Sequence, residues 1–461
     1  MNSNAIEVQH LSKANKRLQD GFLHLPAMAD QVDYSRVETI MKKLATRMQD
    51  NYPYHHAFYL GQMLKPPHPI ARVAYQNAML INPNNHALDG GRASSDLEKQ
   101  VVVDIGKMLG LPQTLGHLTS GGTMANLEAL WVAREETDGR CVLASEQAHY
   151  THSRLTNVLG LSFDAVPADP KGRMCMRRLE KRLSKGDVGT VVVTMGTTAL
   201  GAVDPLADVL ALRAKYDFRV HVDAAYGGYF ILDESLGSET RRHFDWVAHI
   251  DSISIDPHKH GLQPYGCGCI LFSDPAVGRH YKHDSPYTYF SSTELHLGEI
   301  SLECSRAGAA ACALWATMQY FPLVLGGEFA DRLTQSRAAA KRLKSFLLDD
   351  NRFRTPWNPE LDIVVWMPKG TSARDISAKS AAIFERAAQR DVHLALCKVP
   401  KHLIVAADIP VSWDDDHITC LRACLMKPEH EEYFDAIADR LAAAFDDALE
   451  TESLQGARHA S

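Results

Sequence analysis

The sequence predicts an α/β protein: a large domain on a mostly parallel sheet covered by helices on both faces, followed by a small α+β domain. Three observations lead there. Short apolar, β-branched runs alternate with helix-compatible stretches between about residues 95 and 320, the pattern of strands buried on both faces. Past about 325 the texture becomes a long Arg/Lys/Ala-rich helix, two short apolar runs and a final amphipathic helix. The length, 461 residues, exceeds what one ordinary core holds.

Taken in order, residues 1–75 read as helical or irregular, with a Pro/aromatic-rich stretch, YPYHHAFYLGQMLKPPHP. Such a segment is too broken for its own core and is expected to pack on a partner subunit. The large domain is expected over 76–325 and the small one over 326–461. SSDLEKQVVVDIGKML is amphipathic, with Ser94 or Ser95 as the expected cap. CVLAS (141–145), TVVVTMG (190–196), RVHVDAA (219–225) and SISID (252–256) are predicted strands, with PLADVLALRAKY (205–216) as a helix among them. In the C-terminal part FADRLTQSRAAAKRLKSFLLDD and EEYFDAIADRLAAAFDDALE are predicted helices, and LDIVVWM and HLIVAA predicted strands.

The formal net charge is −7 and the sequence has no basic tail or long Lys/Arg run, which argues against nucleic acid as a partner. The N-terminus lacks a signal-peptide pattern, and no run of eighteen apolar residues offers a membrane span. The nine cysteines have no framework spacing. Cys267 and Cys269 would share one face of a strand, and with no further ligands nearby they read as buried thiols, not as a metal site. A reducing cytoplasm is the expected location.

In an open parallel sheet, ligands bind beyond the carboxyl ends of the strands, so the residues that follow each predicted strand matter most. TVVVTMG is followed by Thr197 and Thr198, and RVHV by Asp223, Ala224, Ala225 and Tyr226. SISI leads into Asp256, Pro257, His258 and Lys259, and CVLAS into His149. Ser120, Gly121, Gly122 and Thr123 open a helix in LTSGGTMANLEAL. Each residue has a bland reading by itself: a cap for the Ser/Gly turn or for Asp223, a solvated charge for Lys259, a core imidazole for His149. Their convergence on one edge favours chemistry. Backbone N–H groups at a glycine-rich helix start suit a phosphate. A buried carboxylate suits a pyridine nitrogen that must stay protonated. A partly desolvated lysine suits a Schiff base.

These segments resemble the pyridoxal 5'-phosphate (PLP)-dependent group II amino-acid decarboxylases, and among them the bacterial tyrosine decarboxylases most. The resembling stretches are HALDGGRASSDLEK, GHLTSGGTMANLEALWVARE, SEQAHY, HVDAAYGGYF, SISIDPHKHGLQPYGCGCILF and LECSRAGAAACALWATMQYFPL, spread over roughly 80–325. The resemblance implies the fold type I of PLP-dependent transferases, with a mostly parallel seven-stranded sheet, and a homodimer with its site near the subunit interface. It implies Lys259 as the Schiff-base lysine, Asp223 as the partner of the ring nitrogen, and Ala225 and His149 on the two ring faces. Gly121, Gly122, Thr123 and His258 would surround the phosphate, and Thr198 the ring substituents, with Thr197 as its competitor. Tyr265 matches an active-site tyrosine. A segment over 281–300 would close the site, with Tyr287 or Tyr289 donating a proton.

The expected reaction is decarboxylation of an L-amino acid to its amine, with an aromatic, tyrosine-like substrate preferred. Arg92 stands where the family carries proline, and Arg306 at a lysine-like position. Either of them facing the pocket would favour an acidic side chain, aspartate or glutamate. A C–C lyase of the sphingosine-phosphate lyase type, an aminotransferase and an inactive PLP-binding protein are the competing readings.

Overall fold

The computed structural model describes residues 3–28, 31–86, 90–282 and 301–459. Its larger sheet has seven strands, β1 (Leu115–Thr119), β2 (Cys141–Ser145), β3 (Phe163–Val166), β4 (Val188–Thr194), β5 (Arg219–Asp223), β6 (Ser252–Ile255) and β7 (Gly268–Phe272), in the spatial order β1-β7-β6-β5-β4-β2-β3. Neighbours from β6 to β3 pair in parallel. Only β7 runs against its partners β6 and β1. All strands but β7 therefore run in one direction and end at the same edge, where β1, β2, β4, β5 and β6 feed one site.

The central strands are apolar without a break because helices cover both faces. Side chains alternate between the two covers: Val191 and Val193 of β4 join Val220 and Val222 in one cluster, and Val192 joins Val142, Ala144 and Leu130 in another. The helix Gly122–Glu136 crosses one face, touching β1, β4, β5, β6 and β7, which sets its N-terminus at the carboxyl edge.

The second sheet is antiparallel, in the order β10-β11-β9-β8, with β8 Phe353–Arg354, β9 Ile363–Pro368, β10 Ala395–Pro400 and β11 His417–Cys424. The helices Ala373–Gln389 and Phe434–His459 pack on it around Trp366, Leu421 and Phe445. The expected α/β architecture thus holds, with four local differences. HLIVAA is helix, Lys401–Ala406, where a strand was expected; a short apolar run has no period that separates the two. Ser94 and Ser95 lie inside the helix Arg92–Met108, whose cap is Gly91, and the Ser94 hydroxyl bonds Asn85. β1 and β3 of the larger sheet and β8, β10 and β11 of the smaller were not foreseen. The helix Pro69–Met79 runs across the boundary expected at 75/76.

Close approach at the β4–β5 corner requires a residue without a side chain. A Cβ on Gly227 would sit 2.1 Å from the Met195 carbonyl oxygen, which is backbone and cannot swing away. Gly227→Ala is expected to destabilise the protein by about 2–3 kcal/mol. A urea denaturation midpoint unchanged from the parent would contradict this.

Candidate active site

The carboxyl edge of the sheet opens into a cleft of about 360 Å³. The chain leaves β1, turns at Gly121 and enters the helix Gly122–Glu136, whose N-terminus no side chain caps. Gly121 and Gly122 leave room that a side chain would crowd. A Cβ on Gly122 would meet Asp256 Oδ2 at 2.9 Å and the Ala225 Cβ at 3.3 Å, and one on Gly121 would meet the His258 ring at 3.2 Å. Gly121, Gly122 and Thr123 all line the cleft, so the positive end of the helix faces it.

Asp223, the last residue of β5, is 5% exposed. Its Oδ2 accepts hydrogen bonds from His152 Nε2 at 2.8 Å and Asn126 Nδ2 at 3.3 Å. Its Oδ1 accepts from the Ala225 N–H at 3.1 Å. Burial works to raise this carboxyl, but the hydrogen bond from His152 and the Lys259 ammonium outweigh it and hold the group below the usual carboxylate range. Asp223 is an anion in a nearly dry site.

Lys259 follows β6 in a turn, and its Nζ lies 3.1 Å from Asp256 Oδ2. His258 Nε2 lies 3.4 Å from the same oxygen. His258 Nδ1 and Asp256 Oδ1 are buried with no hydrogen-bond partner among the described residues. Unsatisfied buried polar atoms are rare in folded proteins. Here they stand beside an uncapped helix end, a carboxylate and an amine, and this donor set fits PLP: an anionic phosphate, a ring nitrogen and an aldehyde.

His149, Thr198 and Ala225 line the same cleft. The His149 imidazole shares a 2.5 Å contact with the Thr151 hydroxyl, and burial lowers its proton affinity against the pull of Asp223. Thr197, the competitor of Thr198, is turned away and accepts the Ala202 N–H. Tyr265 sits at the rim, more than half exposed; its ring is 4.8 Å from that of His258 and its hydroxyl 3.5 Å from the Met63 carbonyl. The closing segment lies outside the described residues from 283 onward, and Tyr287 and Tyr289 with it.

Neither arginine singled out in the sequence lines this cleft. Arg306 bonds Glu98 at 2.6 Å and the carbonyls of Leu118 and Asn85. Arg92 is exposed at a helix start. Cys267 and Cys269 are both buried, and burial raises both thiols.

Sequence reasoning missed Asn126, His152 and Met63. Asn126 is four residues past Gly122 on the same helix, a spacing that was available as a signal, and His152 stands in the first turn of the helix that follows His149. It also missed Arg422 of β11, which donates to the Thr198 carbonyl at 2.8 Å and to Gln62 at 3.0 Å, tying the second sheet to the cleft wall.

Comparison with known proteins points the same way. A model of the pyridoxal-dependent decarboxylase conserved domain matches residues 70–369. A probable L-tyrosine/L-aspartate decarboxylase of Methanothermobacter thermautotrophicus is 31% identical, over 67% of this chain and 82% of the relative. An L-tyrosine decarboxylase of Enterococcus faecium is 27% identical, over 76% of each chain. In fold, the chain is similar to Oryza sativa TDC solved with PLP and tryptamine, with a TM-score of 0.76 and 18% identity, over 96% of this chain and 99% of that one.

Proposed function

The chain belongs to the pyridoxal-dependent decarboxylase family, and from that premise we propose that it decarboxylates an aromatic, tyrosine-like L-amino acid to its amine. That it is a PLP-dependent amino-acid decarboxylase follows from the family; the side chain it accepts is the proposal. One observation carries the choice: the described lining of the cleft holds no arginine, while Met63, Met124 and Tyr226 add apolar surface. An acidic side chain entering a desolvated pocket calls for a bidentate cation, and Arg306 is engaged by Glu98.

When bound, the cofactor supplies an electron-accepting ring for the pair left behind as carbon dioxide departs. The residues do the rest. Lys259 would anchor the cofactor through its amine, and once the substrate amine takes that place the lysine would be free to hold a proton. Asp223 stays ionised and keeps the ring nitrogen protonated. His149 and Ala225, which line the cleft, would pack against the ring. The N–H groups at Gly122 and Thr123, with His258, would hold the phosphate, and Thr198 would lie near the ring.

The test is to incubate the PLP-loaded enzyme with single amino acids and identify the amine formed. Tyramine from tyrosine, at a kcat/KM at least about a hundredfold above that for aspartate or glutamate, is expected. β-Alanine or γ-aminobutyrate as the main product would replace the aromatic reading with the acidic one.

We also propose that the enzyme is a homodimer. Every residue of the helix Tyr34–Met48 is exposed in the single chain, although Val37, Ile40, Met41, Leu44 and Met48 form one apolar stripe. A second copy is the expected cover. Sedimentation at the mass of one 51.1 kDa chain would refute it. Among the described residues no helix is long and apolar enough to cross a membrane. A cytoplasmic location is proposed from the free cysteines.

A further inference from the structure

We propose that His152 is a positioning residue for the decarboxylation, holding the Asp223 carboxylate oriented and charged toward the cofactor's ring nitrogen. The inference rests on the reading of Asp223 given above. His152 lies in the first turn of the helix Thr151–Val158 and is fully buried. Its Nε2 is 2.8 Å from Asp223 Oδ2, so with a carboxylate as acceptor this nitrogen carries the proton. Nδ1 is buried and has no hydrogen-bond partner among the described residues. A second proton there would be an unsatisfied N–H in the interior. The surroundings therefore select the tautomer that donates to Asp223.

The other donors to this carboxylate are weaker or shared. The Ala225 N–H is at 3.1 Å, Asn126 Nδ2 at 3.3 Å and Ser254 Oγ at 3.4 Å. Ser254 makes its shorter bond, 2.8 Å, to Asn126 Oδ1, which also meets His221 Nε2 at 2.7 Å. The titratable groups facing Asp223 are His152 and His149 from the segment after β2, Lys259 from the turn after β6, and His221 from β5 itself. Burial drives His221 down to about 3, so it stays neutral and does not replace a lost His152. Without His152, the burial that works to raise the Asp223 carboxyl loses its strongest opponent. A protonated Asp223 no longer holds the ring nitrogen charged.

The test compares His152→Leu, His152→Gln and Asp223→Asn, reading the cofactor dissociation constant and the acid limb of the kcat/KM pH profile. His152→Leu is expected to weaken cofactor binding by roughly ten- to a hundredfold, the worth of one hydrogen bond to a charged group. It is also expected to move the acid limb up by about one pH unit. His152→Gln, which keeps an N–H donor, is expected to recover most of both. A leucine variant with parental affinity and an unmoved acid limb overturns the proposal. So does a pair in which leucine and glutamine weaken binding equally and the limb stays in place, the result of a merely structural role. If the leucine variant does not fold, the glutamine variant decides: near-parental values support the proposal, and weakened binding with an unmoved limb overturns it. Asp223→Asn separates the two readings. If it changes neither readout, the role of Asp223 fails; if it changes both and His152→Leu neither, only His152 is wrongly placed.

Discussion

Lys259→Ala is expected to abolish turnover, by at least roughly a thousandfold, and to leave no covalent link between protein and cofactor. Lys259 brings the only primary amine among the described cleft-lining residues. Its ammonium is held 3.1 Å from Asp256 in a site otherwise lined by carboxylates, imidazoles, hydroxyls, an amide, methionines and backbone. None of these replaces an amine that must first hold the cofactor and then release it to the substrate. The measurement is borohydride reduction of the loaded protein followed by peptide mass analysis. The parent is expected to carry the cofactor mass on the peptide containing Lys259, and the variant on none. A label that persists in the variant, or lands on another lysine, would remove Lys259 from the centre of the site.

The second large effect is expected at Asp223. Asp223→Asn keeps the shape of the side chain but removes its charge, and turns one of its two acceptor atoms into a donor facing the N–H groups of His152 and Asn126. Unlike the lysine change, it leaves the covalent anchor in place, so the cofactor mass still appears on Lys259 after reduction. Decarboxylation is nonetheless expected to fall by about a thousandfold or more, because an uncharged partner leaves the ring nitrogen unprotonated and a poor sink for electrons. Single-turnover kinetics of the loaded variant read the chemical step apart from cofactor loss. A variant within tenfold of the parent in that step would show that Asp223 acts through binding alone.

Both residues were legible in the sequence for one reason. Lys259 and Asp223 could be picked out because each directly follows a run that reads as a buried strand, and parallel strands share a direction. The same logic brought Thr198 and His149 to the cleft. It did not reach Met63, which arrives from the irregular N-terminal stretch with no strand before it. Nor did it settle Arg306, whose guanidinium could face either the cleft or the interior until Glu98, 208 residues earlier in the chain, was found against it. HLIVAA failed for a related reason: six apolar residues carry no period, so what surrounds them in the fold decides between helix and strand.

By itself, the sequence determined the parallel sheet, the glycine-opened helix at its edge and the identity of the groups delivered there. All of these depend on local pattern and on the common direction of the strands. Only the tertiary structure decided what state those groups are in. Asp223 is held as an anion chiefly by the hydrogen bond from His152, 71 residues away in the chain, and Asp256 comes against Gly122 so closely that a Cβ there would meet its carboxylate at 2.9 Å. Ionisation in a dry site depends on the distance and direction of each donor, and those distances exist only once separate strands and helices have packed together.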